Sequence, residues 1–495
     1  MSIRSSSSAA VRHPGAIIAV LGFCGIVTAL MQTLVLPLVA SLPRLLDTSA
    51  SNASWVITST LLAGAVIVPI SGRLGDMFGK RRMLVISLGV LSAGSVLCAL
   101  TSSLVLMVAG RVLQGAAMGA IPLGISIVRD ELPKERVGSA VAAISATLGV
   151  GAAIGLPVSA LIAQGGGWHM VFWASAALGL VALALVVRLL PESSVRTPAR
   201  FDALGALGLA MGLMALLLAI TEGASWGWTS ALTLGCFGAS VVVLLVWAAI
   251  ELRTTAPLAD LRVTARPQVL FTNLASIMVG FSMFGMSLVF IQLLMEPGAT
   301  GYGLAQSMVG AGLELAPGGI VMMLLAPVSA LISARRGPRV TLMVGTLVMG
   351  AGFAVAFQLT AAVWQVMLAC MIIGAGVGIS FAAMPALILG AVPLTQTAAA
   401  NGLNSLMRSI GTSTSAAVMG TVLAHMTMKL GPVTLPSMGA FHAAFLISIA
   451  GAALAFLLTA AIPGRVPATL PSSLPPAQAA HDGYAVPGHQ PLRGA

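Results

Sequence analysis

The chain has 495 residues, 58% of them hydrophobic and only 7% charged, with a formal net charge of +11. A soluble chain would carry charge on about a quarter of its residues. This composition therefore excludes a water-soluble enzyme, a nucleic-acid binder and a secreted disulfide scaffold. Four cysteines, Cys24, Cys98, Cys236 and Cys370, all fall inside apolar stretches and give neither a disulfide framework nor metal-ligand spacing.

Apolar stretches of about 20 residues, separated by short polar links, read as membrane-crossing helices. In chain order they cover 15–39, 55–71, 83–100, 104–128, 139–163, 171–190 and 204–221, then 231–250, 269–295, 307–333, 340–360, 364–392, 402–424 and 441–462. The expectation is an all-α integral membrane fold with 14 transmembrane helices and both termini on one side. Residues 1–14 form a short tail with Arg4 and Arg12, and no small-residue cleavage site follows the first apolar run, so that span is expected to be retained. Residues 463–495, rich in Pro, Ala and Ser, are expected to be a disordered tail.

Basic residues gather in links on the cytoplasmic side of membrane proteins. With the N-terminus placed there, 20 of the 24 basic residues fall in inner links or tails. Only Arg44 and Lys429 fall outside, and Arg111 and Arg408 lie within spans. The net positive charge is thus a topology signal, with attraction to anionic lipid headgroups, and needs no nucleic acid. Arginine outnumbers lysine 21 to 3 in a chain rich in Ala and Gly, a bias that fits a GC-rich bacterial genome and a bacterial inner (cytoplasmic) membrane.

The most particular segment is Gly72-Arg-Leu-Gly-Asp-Met-Phe-Gly-Lys-Arg-Arg, read as the link between spans 2 and 3. Gly72, Gly75 and Gly79 permit a tight turn and close backbone approach, and Asp76 is a lone acid beside Lys80 and Arg81, suited to capping or pairing with a helix end. In span 4, Arg111 lies about 8 residues from the outer end, or ~12 Å at 1.5 Å per residue, near mid-membrane. An arginine there costs at least ~2.5 kcal/mol and should face a cavity or a partner, with Gln114 at i+3 on its face. In span 5, Gly151, Gly155 and Ser159 recur at i+4 to give a flat packing face, and Pro157 can kink the helix. Among the 13 acids, Glu314, about 8 residues into span 10, is the membrane-buried candidate for carrying a proton, binding substrate or making a structural hydrogen bond. Gln32, Gln292 and Arg408 are polar groups placed to line a substrate cavity. Glu222 and Glu296 read as solvated at outer helix ends, and Asp202 and Asp260 as structural groups at the inner surface.

The glycine-acid-base segment resembles the signature loop of the major facilitator superfamily, G-x-L-x-D-x-x-G-[RK]-[RK]. A weak repeat supports the resemblance: 329–339 aligns with 71–81, placing Gly337 on Gly79 and Ala334 on Asp76. It implies two six-helix bundles, 15–190 and 269–462, with an insert at 191–268 carrying helices 7 and 8. Arg111-x-x-Gln114-Gly115 is similar to the superfamily's R-x-x-Q-G motif, implying proton coupling through Arg111 and Gln114, with Glu314 a further candidate. The Gly151, Gly155, Pro157 segment looks like its antiporter motif, although Leu156 separates glycine from proline. The 72–81 segment would then be the conformational gate.

Weaker landmarks, Phe201-Asp202, Trp226-Gly-Trp228 and Asn401-Gly402, resemble the fourteen-helix drug:proton antiporters. The resemblance implies a proton-driven exporter of amphipathic small molecules working by alternating access, monomeric, with no metal or cofactor. A dedicated exporter of one metabolite, antibiotic or lipid is the alternative, and a non-transporting membrane sensor is a third reading. The acid that drug pumps of this kind carry in helix 1 is missing here, where Gln32 is the most polar residue. No P-loop or catalytic constellation points to ATP or to an enzyme.

Overall fold

The computed structural model describes residues 14–463, apart from 36, 37, 39, 40, 194, 197–199, 256 and 432. The tails expected at either end therefore lie outside the described residues, as does the side chain of Gln32. Among the described residues the regular structure is helical, apart from a two-stranded hairpin, Thr427–Leu430 with Val433–Pro436. In chain order the long helices are α1 (Pro14–Thr33), α2 (Ala50–Phe78), α3 (Lys80–Leu100), α4 (Leu104–Glu131), α5 (Lys134–Gly166), α6 (His169–Leu189) and α7 (Ala203–Trp226). They continue as α8 (Ala231–Glu251), α9 (Pro267–Met295), α10 (Met308–Arg336), α11 (Pro338–Gln358), α12 (Val363–Ala391), α13 (Thr397–His425) and α14 (Met438–Ala460). Among the described residues, 12 of these are long and apolar enough to cross a membrane. The protein is a multi-pass membrane protein.

Local chemistry fixes where the helices begin. Ser49, Ser230, Ser307 and Ser437 precede α2, α8, α10 and α14, and each hydroxyl accepts a hydrogen bond from the backbone N–H three residues on. Such N-caps satisfy donors that have no intrahelical partner. Among the described residues two of the long helices are interrupted: α4 tightens to a 3₁₀ turn at Ala116–Gly119, and α10 is broken at Leu325.

Packing follows two apolar cores. One gathers side chains from α1 to α6, with Leu84, Leu88, Leu123 and Phe172 fully enclosed. The second gathers α9 to α14 around Phe290, Phe353, Phe441 and Phe445. The two sets meet where α2 crosses α13 and where α5 crosses α10 and α12. Helix α7 lies against α2 and α13, seating Leu209, Leu213 and Leu217 on Leu62, Leu403 and Leu406. Helix α8 packs on α7, where Ser240 Oγ donates to the Gly212 carbonyl (2.9 Å), and turns Val241, Val242, Leu245 and Val246 outward. In lipid those exposed apolar side chains carry no penalty.

The link read between spans 2 and 3 is not a loop. Helix α2 continues through Asp76 to Phe78, α3 starts at Lys80, and Gly79 alone joins them, with φ of +111°. Its repeat counterpart Gly337 joins α10 to α11 with φ of +85°. Both take the left-handed region that favours glycine. The segment stays helical because its small residues let α2 lie directly on the first turn of α13.

Candidate functional site: a polar latch and a buried arginine

At the end of the molecule that carries the basic links, α2 presents Asp76 to the other bundle. Its Oδ1 and Oδ2 accept the backbone N–H groups of Ala398 (3.2 Å) and Ala399 (2.9 Å). These lie in the first turn of α13, where N–H groups lack intrahelical partners and the helix dipole favours negative charge. Asp76 is thus an N-cap supplied by a different helix across 322 residues of chain, and it is only 1% exposed. Lys80, fully buried, sits 3.7 Å from Asp76 Oδ1 and donates to Asp130 Oδ2 (2.5 Å) and to Thr397 Oγ1 (3.0 Å). Ser193 Oγ also donates to Asp130 Oδ2 (2.5 Å).

This network joins both bundles through α2, α3, α4 and α13. A methyl group on Gly72 would collide with the Ala398 carbonyl, so only glycine lets the helices approach this closely. Arg129 Nη2 adds a second link, donating to the Val392 carbonyl at the end of α12 (3.3 Å). Arg81 Nη2 donates to the Val187 carbonyl (2.6 Å), which ties α3 to α6 inside one bundle. The basic end is closed.

Arg111 is 2% exposed and makes no ion pair among the described residues. Its Nε donates to the Val56 carbonyl (2.8 Å), and its Nη1 to the Met31 carbonyl (3.4 Å) and to Gln114 Oε1 (2.6 Å). Gln114 Nε2 in turn donates to Ser95 Oγ (2.8 Å), and Thr60 Oγ1 donates to the Arg111 carbonyl (3.0 Å). One guanidinium therefore ties together α1, α2 and α4, and Gln114 extends the network to α3. The spacing that put Gln114 on the same face as Arg111 is realised as a direct hydrogen bond.

The other expected site residues are dispersed. Glu314 is half-buried on α10, and its Oε2 is enclosed with no hydrogen-bond partner among the described residues. No described hydrogen bond or ion pair joins it to Arg111. Gly151 and Gly155 pack against Ala29 and Thr33 of α1, and Pro157 lies inside α5 as expected. Near it, Ser159 Oγ donates to the Leu34 carbonyl. Arg408 on α13 lies over the Phe381 ring, 4.8 Å from its centroid, and donates to Ser405 Oγ (3.3 Å).

A cavity of about 100 Å³ opens between the bundles, lined by Thr33 and Gly149 on one side and by Met283, Met286, Leu315 and Met322 on the other. Ile291 lines it, whereas Gln292 and Arg408 do not. Its wall is mainly hydrocarbon and thioether, which suits irregular apolar ligands.

Sequence reasoning passed over Asp130, Thr397 and an amide cluster in which Asn404 Nδ2 donates to Asn273 Oδ1 (2.9 Å) and Ser276 Oγ (2.7 Å). The signal for the cluster was present, since Asn401, Asn404 and Arg408 recur near one face of α13. Asp202 and Asp260 do cap helix starts, Asp202 that of α7 and Asp260 that of the one-turn helix Leu261–Thr264, accepting from Gly205 N (2.7 Å) and Arg262 N (3.0 Å). Glu222 and Glu296 are each buried to 6% exposure, not solvated. Ser225 Oγ donates to Glu222 Oε2 (2.9 Å), while burial alone pushes the Glu296 carboxyl above its ordinary range.

Two packed sets of helices, a cavity between them and a polar latch closing one end define a membrane protein of transporter architecture. The chain belongs to the Major Facilitator Superfamily, whose family model matches residues 21–416. The family resemblance of the 72–81 segment therefore holds. The chain is 26% identical over 401 residues to multidrug resistance protein Stp of Mycobacterium tuberculosis, covering 80% of this chain and 73% of that protein. It is 28% identical over 389 residues to the tetracenomycin C resistance and export protein of Streptomyces glaucescens, covering 77% and 70%. Its fold matches the crystal structure of the human organic anion transporter MFSD10 (TETRAN) with a TM-score of 0.65 at 15% identity, over 90% of this chain and 99% of that one.

Proposed function

We propose that the chain is a proton-coupled exporter of amphipathic small molecules, resident in a bacterial cytoplasmic membrane. In this reading all fourteen long helices cross the bilayer, both termini are cytoplasmic, and the 15–190 and 269–462 bundles rock about the central cavity. The basic end is then the cytoplasmic end, closed in the conformation described, and the cavity opens to the outside when the bundles tilt. The observation that carries the reading is the Asp76 cap on α13, because a carboxylate shared between bundles must release before the cytoplasmic end can open. The named relatives, one a multidrug resistance protein and one an export protein for an antibiotic, support export over uptake.

Energy comes from the proton gradient, with no cofactor. Glu314, whose Oε2 is enclosed and unpartnered, is the group suited to take a proton from one side and release it on the other. Arg111 and Gln114 hold the N-terminal bundle in register around that exchange. The test is efflux of a fluorescent amphiphile from proteoliposomes under an imposed pH gradient. Efflux should collapse with an uncoupler and lose its pH dependence in Glu314→Gln. Efflux that runs undiminished without a gradient would refute proton coupling.

A further inference from the structure

A second cavity, about 330 Å³, lies at the basic end, away from the central one. Its wall is drawn from three separate places: Arg73 on α2, Thr255, Asp260 and Thr264 in the segment between α8 and α9, and Gln396 and Ala399 at the start of α13. Arg73 is 8% exposed and has no hydrogen-bond or ion-pair partner among the described residues. The two other cations buried among the described residues are both satisfied, Lys80 by two carboxylates and a hydroxyl, Arg111 by two carbonyls and an amide oxygen. The Arg73 guanidinium stays open to the cavity space, where an anion can pair with it.

We propose that this cavity binds a singly charged anionic group, a phosphodiester or a carboxylate. Arg73 supplies the planar fork that matches such oxygens, and the Thr255 hydroxyl and the Gln396 amide supply further donors; the Thr264 hydroxyl already donates to the Asp260 carbonyl (2.9 Å). Asp260 restricts the charge. Its Oδ1 accepts the N–H groups of Arg262 and Val263, but the carboxylate still lines the cavity and opposes a doubly charged ligand.

The occupant bridges α2, the segment after α8 and the first turn of α13, so it binds only while the basic end is closed. By linkage it stabilises that closed state. A phosphodiester reaches the site either as a lipid headgroup from the adjacent leaflet or as a free solute.

Thermal unfolding of the purified full-length protein in detergent separates these cases. Dimethyl phosphate serves as the free phosphodiester and dihexanoyl-phosphatidylglycerol as the lipid. Either should raise the wild-type unfolding midpoint saturably. Response to the lipid alone assigns the site to a headgroup, and response to both shows that the phosphodiester suffices. Arg73→Ala should weaken the apparent affinity at least about tenfold, the scale of one charge-assisted contact. Asp260→Asn, which keeps a capping side chain, should make inorganic phosphate at pH 8 a better ligand than it is for the wild type. The proposal is overturned if neither probe moves the midpoint, or if Arg73→Ala responds as the wild type does.

Discussion

Asp76 holds two helix ends together with a single carboxylate, and its replacement by asparagine tests how much of the latch is charge. Asn keeps one acceptor oxygen but loses the attraction to Lys80 at 3.7 Å and half of the bidentate grip on Ala398 and Ala399. A cap of this kind contributes about 0.5–2 kcal/mol, so the closed state should lose up to about thirtyfold in population. Efflux by Asp76→Asn should fall by that order while the protein still reaches the membrane, as quantified on a membrane blot. Arg111 makes a different prediction. Lysine retains the charge but cannot reach the Val56 carbonyl, the Met31 carbonyl and Gln114 together. Arg111→Lys should therefore lower the unfolding temperature nearly as much as Arg111→Ala, since both leave buried acceptors unpaired at about 1–3 kcal/mol each. Full rescue by lysine would show that charge alone matters.

The gating elements depend on close backbone approach more than on side-chain pairing. Gly72 meets the Ala398 carbonyl on α13, and Gly151 meets Ala29 on α1. Substitution by leucine at Gly72 should prop the basic end apart and expose the α13 start to a water-soluble thiol reagent, read at a cysteine placed at Gln396. Alanine at Gly235 on α8, which has open space around it, should change neither accessibility nor efflux. The α5 crossing is legible in the sequence, because Gly151, Gly155 and Ser159 at i+4 spacing announce a flat face, whereas Gly72 reads there as part of a turn. What was not legible was the partner. The sequence places Asp76 four residues before Lys80 in one link, but only the fold brings both to Thr397 and Ala398, more than 300 residues away. The same limit explains Asp130, which reads as an ordinary acid at the end of span 4 until Lys80 and Ser193 converge on it.

Over the whole molecule, the positive charges in the links point to a common side for the basic residues, of which Lys80 and Arg129 take part in the contacts between the bundles. The helix ends were less accurately foreseen, since apolar runs stop at the first charge whereas α2 and α5 extend beyond it to Phe78 and back to Lys134. Helix continues past the hydrocarbon boundary wherever backbone hydrogen bonds and neighbouring helices sustain it. The short β-hairpin between α13 and α14 was also unanticipated; there the Tyr302 hydroxyl donates to the Pro436 carbonyl. Alternating access requires that the latch be the closed form of a two-state molecule. Pulsed electron spin resonance between labels at Phe78 and Leu394, both exposed and on opposite sides of the latch, measures this directly in a background lacking Cys24, Cys98, Cys236 and Cys370. The wild type should give one dominant short distance, and Asp76→Asn should add a second, longer population. An unchanged single distribution in Asp76→Asn, at neutral and at acid pH, would contradict the account.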